Sequence, residues 1–196
     1  MRRPWVRTDE LTPAQRPLYE AFEAMVRADE YTGFQVKRPD GAFIGPWGVM
    51  LHFPELARPL GQFIAAAQQM SGLSERARQV VILTVGARMN SAYELYAHAA
   101  LGVRSGLRPD QIATLSAGGR PADLTEEETL AADTATALTR GGVLPGPLYD
   151  TVVETLGQEA LDTIVFATVH YLTLGVILNA YDVPAGDKEN DVHRPS

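Results

Sequence analysis

The chain has 196 residues, enough for one ordinary domain with a sizeable core, and 45% of them are hydrophobic, as in a globular protein. Its formal charge of −7, with the 17 basic residues scattered, argues against a nucleic-acid or anionic-membrane surface, because such surfaces need clustered Lys and Arg. The absence of Cys excludes disulfides, thiolate nucleophiles, thiol peroxidase chemistry and Cys-ligated zinc or iron–sulfur centres.

The first ten residues carry basic side chains with no apolar run behind them, so no signal peptide is expected and the protein is expected in the cytoplasm. Thr12-Pro13-Ala14-Gln15 predicts a capped helix start, and Leu18, Phe22, Met25 and Val26 give that helix one apolar face as far as about Asp29. Gly and Pro then punctuate the chain from Tyr31 to Pro54, which reads as a long loop with a short strand pair around Phe34 and Phe43. Its aromatics, Phe34, Phe43, Trp47 and Phe53, are costly to leave in water, so the segment is expected to fold over the helical body and roof a pocket. His52, near its end, reads first as a surface or capping residue and second as a group that could hold a substrate oxygen.

Pro54 to Met70 reads as a helix kinked or restarted at Pro59 and ended by Ser71-Gly72. Ser74 caps the next helix, an apolar run that carries Gln79, Thr84 and Arg88 and holds Gly86 in its interior, where close helix packing is the expected reason. Met89-Asn90-Ser91 breaks the pattern. Ser91-x-x-Glu94 has the form of a capping box, and His98 lies four residues beyond Glu94 on the same face of the new helix. Glu94 therefore reads either as a helix cap or as a partner of His98.

Further helices are predicted from Pro109 to near Gly118, from the capping box at Thr125 to Gly141, and from Tyr149 to Leu156. The acids Glu126, Glu127 and Glu128 suit a helix start, a structural role. The last long helix, about Glu159 to Ala180, is apolar nearly all round, which marks a helix buried centrally or in an oligomer interface. Its polar exceptions, His170, Thr173 and Asn179, need partners if buried. With no strand–helix alternation, glycine-rich phosphate loop or metal motif, the fold class is all-α: one domain over residues 1–186 and a polar tail over 187–196.

The stretch from Gln79 to His98 resembles the carboxymuconolactone decarboxylase and alkylhydroperoxidase D superfamily, whose peroxidase branch reads Glu-x11-Cys-x-x-Cys-x3-His. Gln79 falls on the Glu without a gap, Ser91 and Glu94 fall on the two Cys, and His98 falls on the His. Gly45-Pro46-Trp47 through Leu56 resembles the opening segment of the longer decarboxylase-like members. Leu178 to Pro184 resembles their closing segment, and Tyr93-Glu94-x-Tyr96-Ala97-His98 matches the cysteine-free branch, so the likeness spans roughly residues 42–186.

The resemblance implies an alkylhydroperoxidase D-like helical bundle, assembly as a homotrimer or hexamer, and acid–base catalysis without a cofactor on a small lactone or keto acid. His98 would then be the proton donor, assisted by Glu94 and reached by His170, with Arg88 or His52 holding a carboxylate or oxyanion and Tyr93, Trp47 and Gln79 lining the substrate. Gln79 departs from the family Glu and cannot accept a proton for catalysis. The expected activity is that of a cofactor-free decarboxylase, lyase or isomerase. A catalytically silent helical oligomer or small-molecule binding protein is the alternative, and a metal hydrolase built on Glu94, His98, His52 and His170 is the third reading. No metal or nucleic-acid partner is expected.

Overall fold

The two longest apolar stretches become the two central helices of the structure, a computed structural model that describes residues 1–26 and 33–186. Among these residues there are nine α-helices: α1 (Arg16–Val26), α2 (Gly45–Met50), α3 (Pro54–Gln68), α4 (Glu75–Met89), α5 (Ala92–Arg104), α6 (Pro109–Ser116), α7 (Glu126–Thr139), α8 (Gly146–Leu156) and α9 (Gln158–Ala180). The all-α class expected from the sequence is the one observed. The predicted end of the first helix near Asp29 and the 187–196 tail lie outside the described residues.

α4 is the hub. Val80 to Val85 are all buried, because α5, α6, α7 and α9 pack around the helix and leave no face for water. Its start is fixed by Ser74, whose hydroxyl accepts from the Ala77 N–H, and its end by Asn90 in the left-handed conformation at φ 50°. Gly86 is tight as expected: a Cβ there would lie 3.2 Å from Leu95 of α5. α7 packs its small residues Ala131 and Ala135 onto α4. Its capping box forms as predicted, the Glu128 N–H donating to Thr125 Oγ1 at 3.3 Å and the Thr125 N–H to Glu128 Oε2 at 3.0 Å. Glu127 accepts from the Ser74 N–H and hydroxyl, and the buried Glu128 pairs with Arg76, so these two acids are structural.

α9 is long and apolar enough to cross a membrane by length and composition, but its packing against α4, α7 and α8 gives its apolar character another cause. One stripe of it, Phe166, Val169 and Val176, stays exposed. Two of its polar residues are satisfied nearby: Thr173 donates to the Val169 carbonyl at 2.8 Å, and Asn179 donates to the Met89 carbonyl at 2.6 Å, closing the C-terminal end of α4.

The segment predicted as a long loop is more regular than the sequence suggests. Its middle is the short helix α2, with Pro46 in its first turn, where a missing N–H costs nothing. The strand pair reduces to one bridge between Lys37 and Phe43. Phe43 does not roof a pocket; it is fully buried against Tyr19 and Phe22 of α1. The segment is tied to α5 through Gln35, whose carbonyl accepts from the Tyr93 hydroxyl and whose N–H donates to Tyr96 Oη, each at 2.9 Å.

Gly45 sets that docking. It has φ +67°, and a Cβ on it would fall 2.3 Å from the Tyr93 ring. Gly45→Ala is expected to lose roughly 1–3 kcal/mol of stability through backbone strain and displacement of Tyr93, measured by urea unfolding. An unchanged midpoint would show that the roof is not held by this contact.

Candidate functional site

α1, α2, α3, α4, α5 and α9 together enclose a cavity of about 780 Å³. Phe34, Trp47, Met50, Ile64 and Leu178 make much of its wall apolar, and Glu94, His98, Gln79, His170 and Arg78 are its chemical groups. The roofing role expected of the 33–53 segment is filled by Phe34, Pro46, Trp47 and Met50. Trp47 meets Tyr93 edge to face at 6.2 Å between centroids, which fixes both rings in the wall.

Glu94 is 3% exposed, and neither carboxylate oxygen has a hydrogen-bond partner among the described residues. The predicted capping box with Ser91 does not form: Ser91 stands at the N-cap position of α5, but its hydroxyl caps no N–H and is itself buried without a partner there. The Glu94 side chain instead lies where three helices converge. A Cβ at Gly86 of α4 would come within 3.6 Å of Glu94 Cβ, and one at Gly175 of α9 within 3.6 Å of its Oε2. Burial with no compensating bond lifts the carboxyl from an ordinary 4.5 to about 8, so at neutral pH Glu94 is mostly a neutral acid.

Contrary to the sequence expectation, His98 is not oriented by Glu94. Its Nδ1 lies 2.9 Å from Gln79 Oε1, and Gln79 Nε2 donates to Glu75 Oε1 at 2.8 Å. The chain of bonds has one direction. A carboxylate only accepts, so Gln79 presents its NH2 to Glu75 and its carbonyl to His98, which assigns the proton to Nδ1 and leaves His98 Nε2 as an acceptor. Burial and the neighbouring His170 imidazole push the pKa of His98 down to about 3. A lowered pKa keeps the ring neutral at pH 7, which favours a proton acceptor over the imidazolium donor that the sequence suggested.

His170 does reach the cavity wall, 3% exposed, with burial and the Arg78 charge lowering its pKa to about 4. Tyr171 touches both imidazoles, with centroids 4.9 Å from His98 and 4.3 Å from His170. Two other predicted residues are elsewhere. His52 has Nε2 2.9 Å from the Pro4 carbonyl and does not line the cavity. Arg88 is nine residues beyond Gln79, about 14 Å along α4 at the helical rise, and it opens onto a different crevice. With His52 removed, the four-ligand metal set is not assembled, and no group of three or more metal-ligating side chains occurs among the described residues.

Two cations line the cavity, Arg78 and Arg104. Arg78, missed in the sequence, sits in the polar first turn of α4, one residue before Gln79 and ahead of the apolar run. It donates through Nη2 to the Met70 carbonyl at 2.7 Å and has Nε 3.8 Å from Glu75 Oε2. Glu75 and Tyr171 were missed too. The spacing of Glu75, Arg78 and Gln79, three and four residues apart, was the available sign that they share a helical face.

The model of the carboxymuconolactone decarboxylase family matches residues 54–137, from the start of α3 into α7. That segment of the chain is similar to the family. No curated protein matches the sequence. Two crystal structures of the debrominase Bmp8 are similar in fold. A cysteine-to-alanine variant of that protein, in complex with 2,3,4-tribromopyrrole, superposes with a TM-score of 0.67 at 14% identity, over 92% of this chain and 89% of that one. The apo form gives 0.66 at 14% identity, over 91% and 89%. The matched segment supplies Gln79, Glu94 and His98, whereas Trp47, Met50, His170 and Leu178 lie outside it, so the cavity is completed by flanking parts of the chain.

The shifted groups set opposite pH trends in stability. Glu94 binds its proton more tightly folded than unfolded, so its contribution is complete below about 4.5 and is lost as pH rises through 8. His98 and His170 stay neutral when folded while the unfolded chain protonates near 6.5, so their contribution is complete above that value and is lost as pH falls toward 3–4. Glu94→Gln removes only the first trend. Its melting temperature is expected to match or exceed the wild type, with a gap that widens from pH 5 to pH 8; parallel profiles would mean that Glu94 ionises normally.

Proposed function

We propose that the cavity carries out cofactor-independent proton transfer on a small, uncharged carbonyl or lactone compound, with Glu94 as acid and His98 as base. One observation carries this reading: a buried carboxyl with no hydrogen-bond partner among the described residues and an imidazole held by the Gln79 amide share the wall of one largely apolar cavity. In such a step His98 Nε2 removes a proton from the carbon beside the carbonyl while the Glu94 O–H donates to the carbonyl oxygen as it becomes enolate-like. The two transfers compensate, so little net charge builds up in an interior that disfavours it. Return of the proton at another carbon completes an isomerisation.

Decarboxylation would need an anionic substrate, and Arg78 and Arg104 are the cations on the cavity wall to hold one. Three inner groups kept uncharged favour the isomerase branch. The bound ligand of the debrominase, a substituted pyrrole, is a compound of the size that a cavity of about 780 Å³ takes easily.

The test is a panel of unsaturated lactones and cyclic enones in D2O, followed by NMR for deuterium uptake and double-bond migration. Turnover is expected without added metal, falling as pH rises through about 8 with loss of the Glu94 proton. His98→Ala should lower it by about 10²–10⁴-fold with the fold intact, the usual contribution of a positioned base. Unchanged kinetics in folded His98→Ala protein would overturn the mechanism, and saturable binding without exchange would favour the small-molecule binding protein.

We also propose that the chain self-associates through α9. Its exposed Phe166, Val169 and Val176 recur on one face of an otherwise buried helix. Light scattering should give an oligomer for the wild type and a smaller species for Phe166→Glu with Val169→Glu. A wild-type monomer at micromolar concentration would refute the assembly.

A further inference from the structure

A second concavity, of about 310 Å³, opens at the far end of α4, between the last turn of that helix, the turn after α6 and the outer side of α7. Its walls hold three arginines, Arg88, Arg120 and Arg140, and a single acid, Asp133. Asp133 is taken: Arg120 Nη1 lies 2.5 Å from its Oδ2. Among the described residues Arg88 and Arg140 make no side-chain hydrogen bond or ion pair, and the Thr136 hydroxyl in the same wall donates to no protein group. The other hydroxyl in the wall, Thr84, is spent on the Val80 carbonyl.

Each of these two arginines has a local reason to be where it is. Arg88 is in the last turn of α4 and Arg140 is the C-cap of α7, and a helix C-terminus favours a cation. That reason does not account for their meeting. Three guanidinium groups against one carboxylate leave a surplus of positive charge in one crevice, in a chain whose net charge is −7.

We infer that this crevice is a binding site for a small, doubly charged oxyanion of the phosphate class, held by Arg88, Arg140 and the Thr136 hydroxyl. A guanidinium presents parallel N–H donors in a fork that matches two oxygens of a phosphate, and two such forks meet a dianion without help from a metal. Gly118 leaves the adjoining wall open, since nothing lies within 4 Å of where its Cβ would be. The crevice is larger than a bare ion and is lined by no aromatic ring among the described residues, so it accommodates free phosphate or the ester of a small aliphatic group rather than a nucleotide that needs a stacking partner. The site shares no residue with the Glu94–His98 cavity and does not depend on the chemistry proposed there.

Isothermal titration of the full chain with sodium phosphate, methyl phosphate and succinate at constant ionic strength tests the inference. Saturable binding of one phosphate per chain is expected, weakened about tenfold or more in Arg88→Gln and in Arg140→Gln, the loss typical of a charge-assisted bond. Both positions are exposed, and circular dichroism of the variants checks that the fold is intact. Methyl phosphate binding more tightly than phosphate identifies an ester as the ligand, and equal or weaker binding identifies the free ion; either outcome supports the site. No saturable binding of either phosphate, equal affinity in wild type and variants, or tighter binding of succinate than of both phosphates would overturn it.

Discussion

The close approach of α4, α5 and α9 is the constraint on which the rest of the structure depends. Gly86 and Gly175 remove side chains from two of the three helices at the level of Glu94, and the carboxyl fills the space with neither oxygen hydrogen-bonded among the described residues. A carboxylate could not be kept there at neutral pH without a partner, so the helices hold a carboxylic acid instead. The raised pKa of Glu94 follows from this packing, because the helix contacts bury the carboxyl and give it no partner among the described residues.

The same packing separates Glu94 from the residue it was expected to serve. In the family pattern a Glu stands where this chain has Gln79, and a direct carboxylate–imidazole pair would make His98 more basic. Here the carboxylate is set back one helical turn, at Glu75, and reaches His98 through the Gln79 amide. An amide passes on orientation without passing on charge, so His98 keeps a defined tautomer while staying neutral in a low-dielectric wall. Burial then acts on the two groups in opposite senses, lowering the pKa of His98 and raising that of Glu94.

The roof of the cavity is made by chain that holds little secondary structure of its own. α2 and the turn before it are positioned by Gly45 against Tyr93 and by the two Gln35 bonds to Tyr93 and Tyr96, all of them on the helix that carries Glu94 and His98. Roof and α5 are therefore tied into one unit. Phe34 and Trp47 are pinned over the cavity by the same tyrosines, while Phe43 anchors the segment from beneath in a separate cluster with α1.

Local sequence determined most of the helices, because Ser74, Thr125 and the Pro and Gly stops act within a few residues of themselves, and it determined the burial of α4 and α9 through their unbroken apolar runs. It also determined which chemistry was excluded, since a chain without Cys has no thiolate. What it misjudged were choices between two partners equally close in sequence. Ser91 and Glu94 had the spacing of a capping box, but whether a Glu side chain turns back to its own helix start or into a neighbouring helix is decided by the space that neighbour leaves, and Gly175 is 81 residues away. Arg78 and Arg88 are cations near the two ends of α4; what packs around each end put the first on the cavity and the second on the crevice at the other end. Ionisation states were likewise tertiary, because burial set them, and nothing in the order of residues gives the depth at which Glu94, His98 and His170 come to rest.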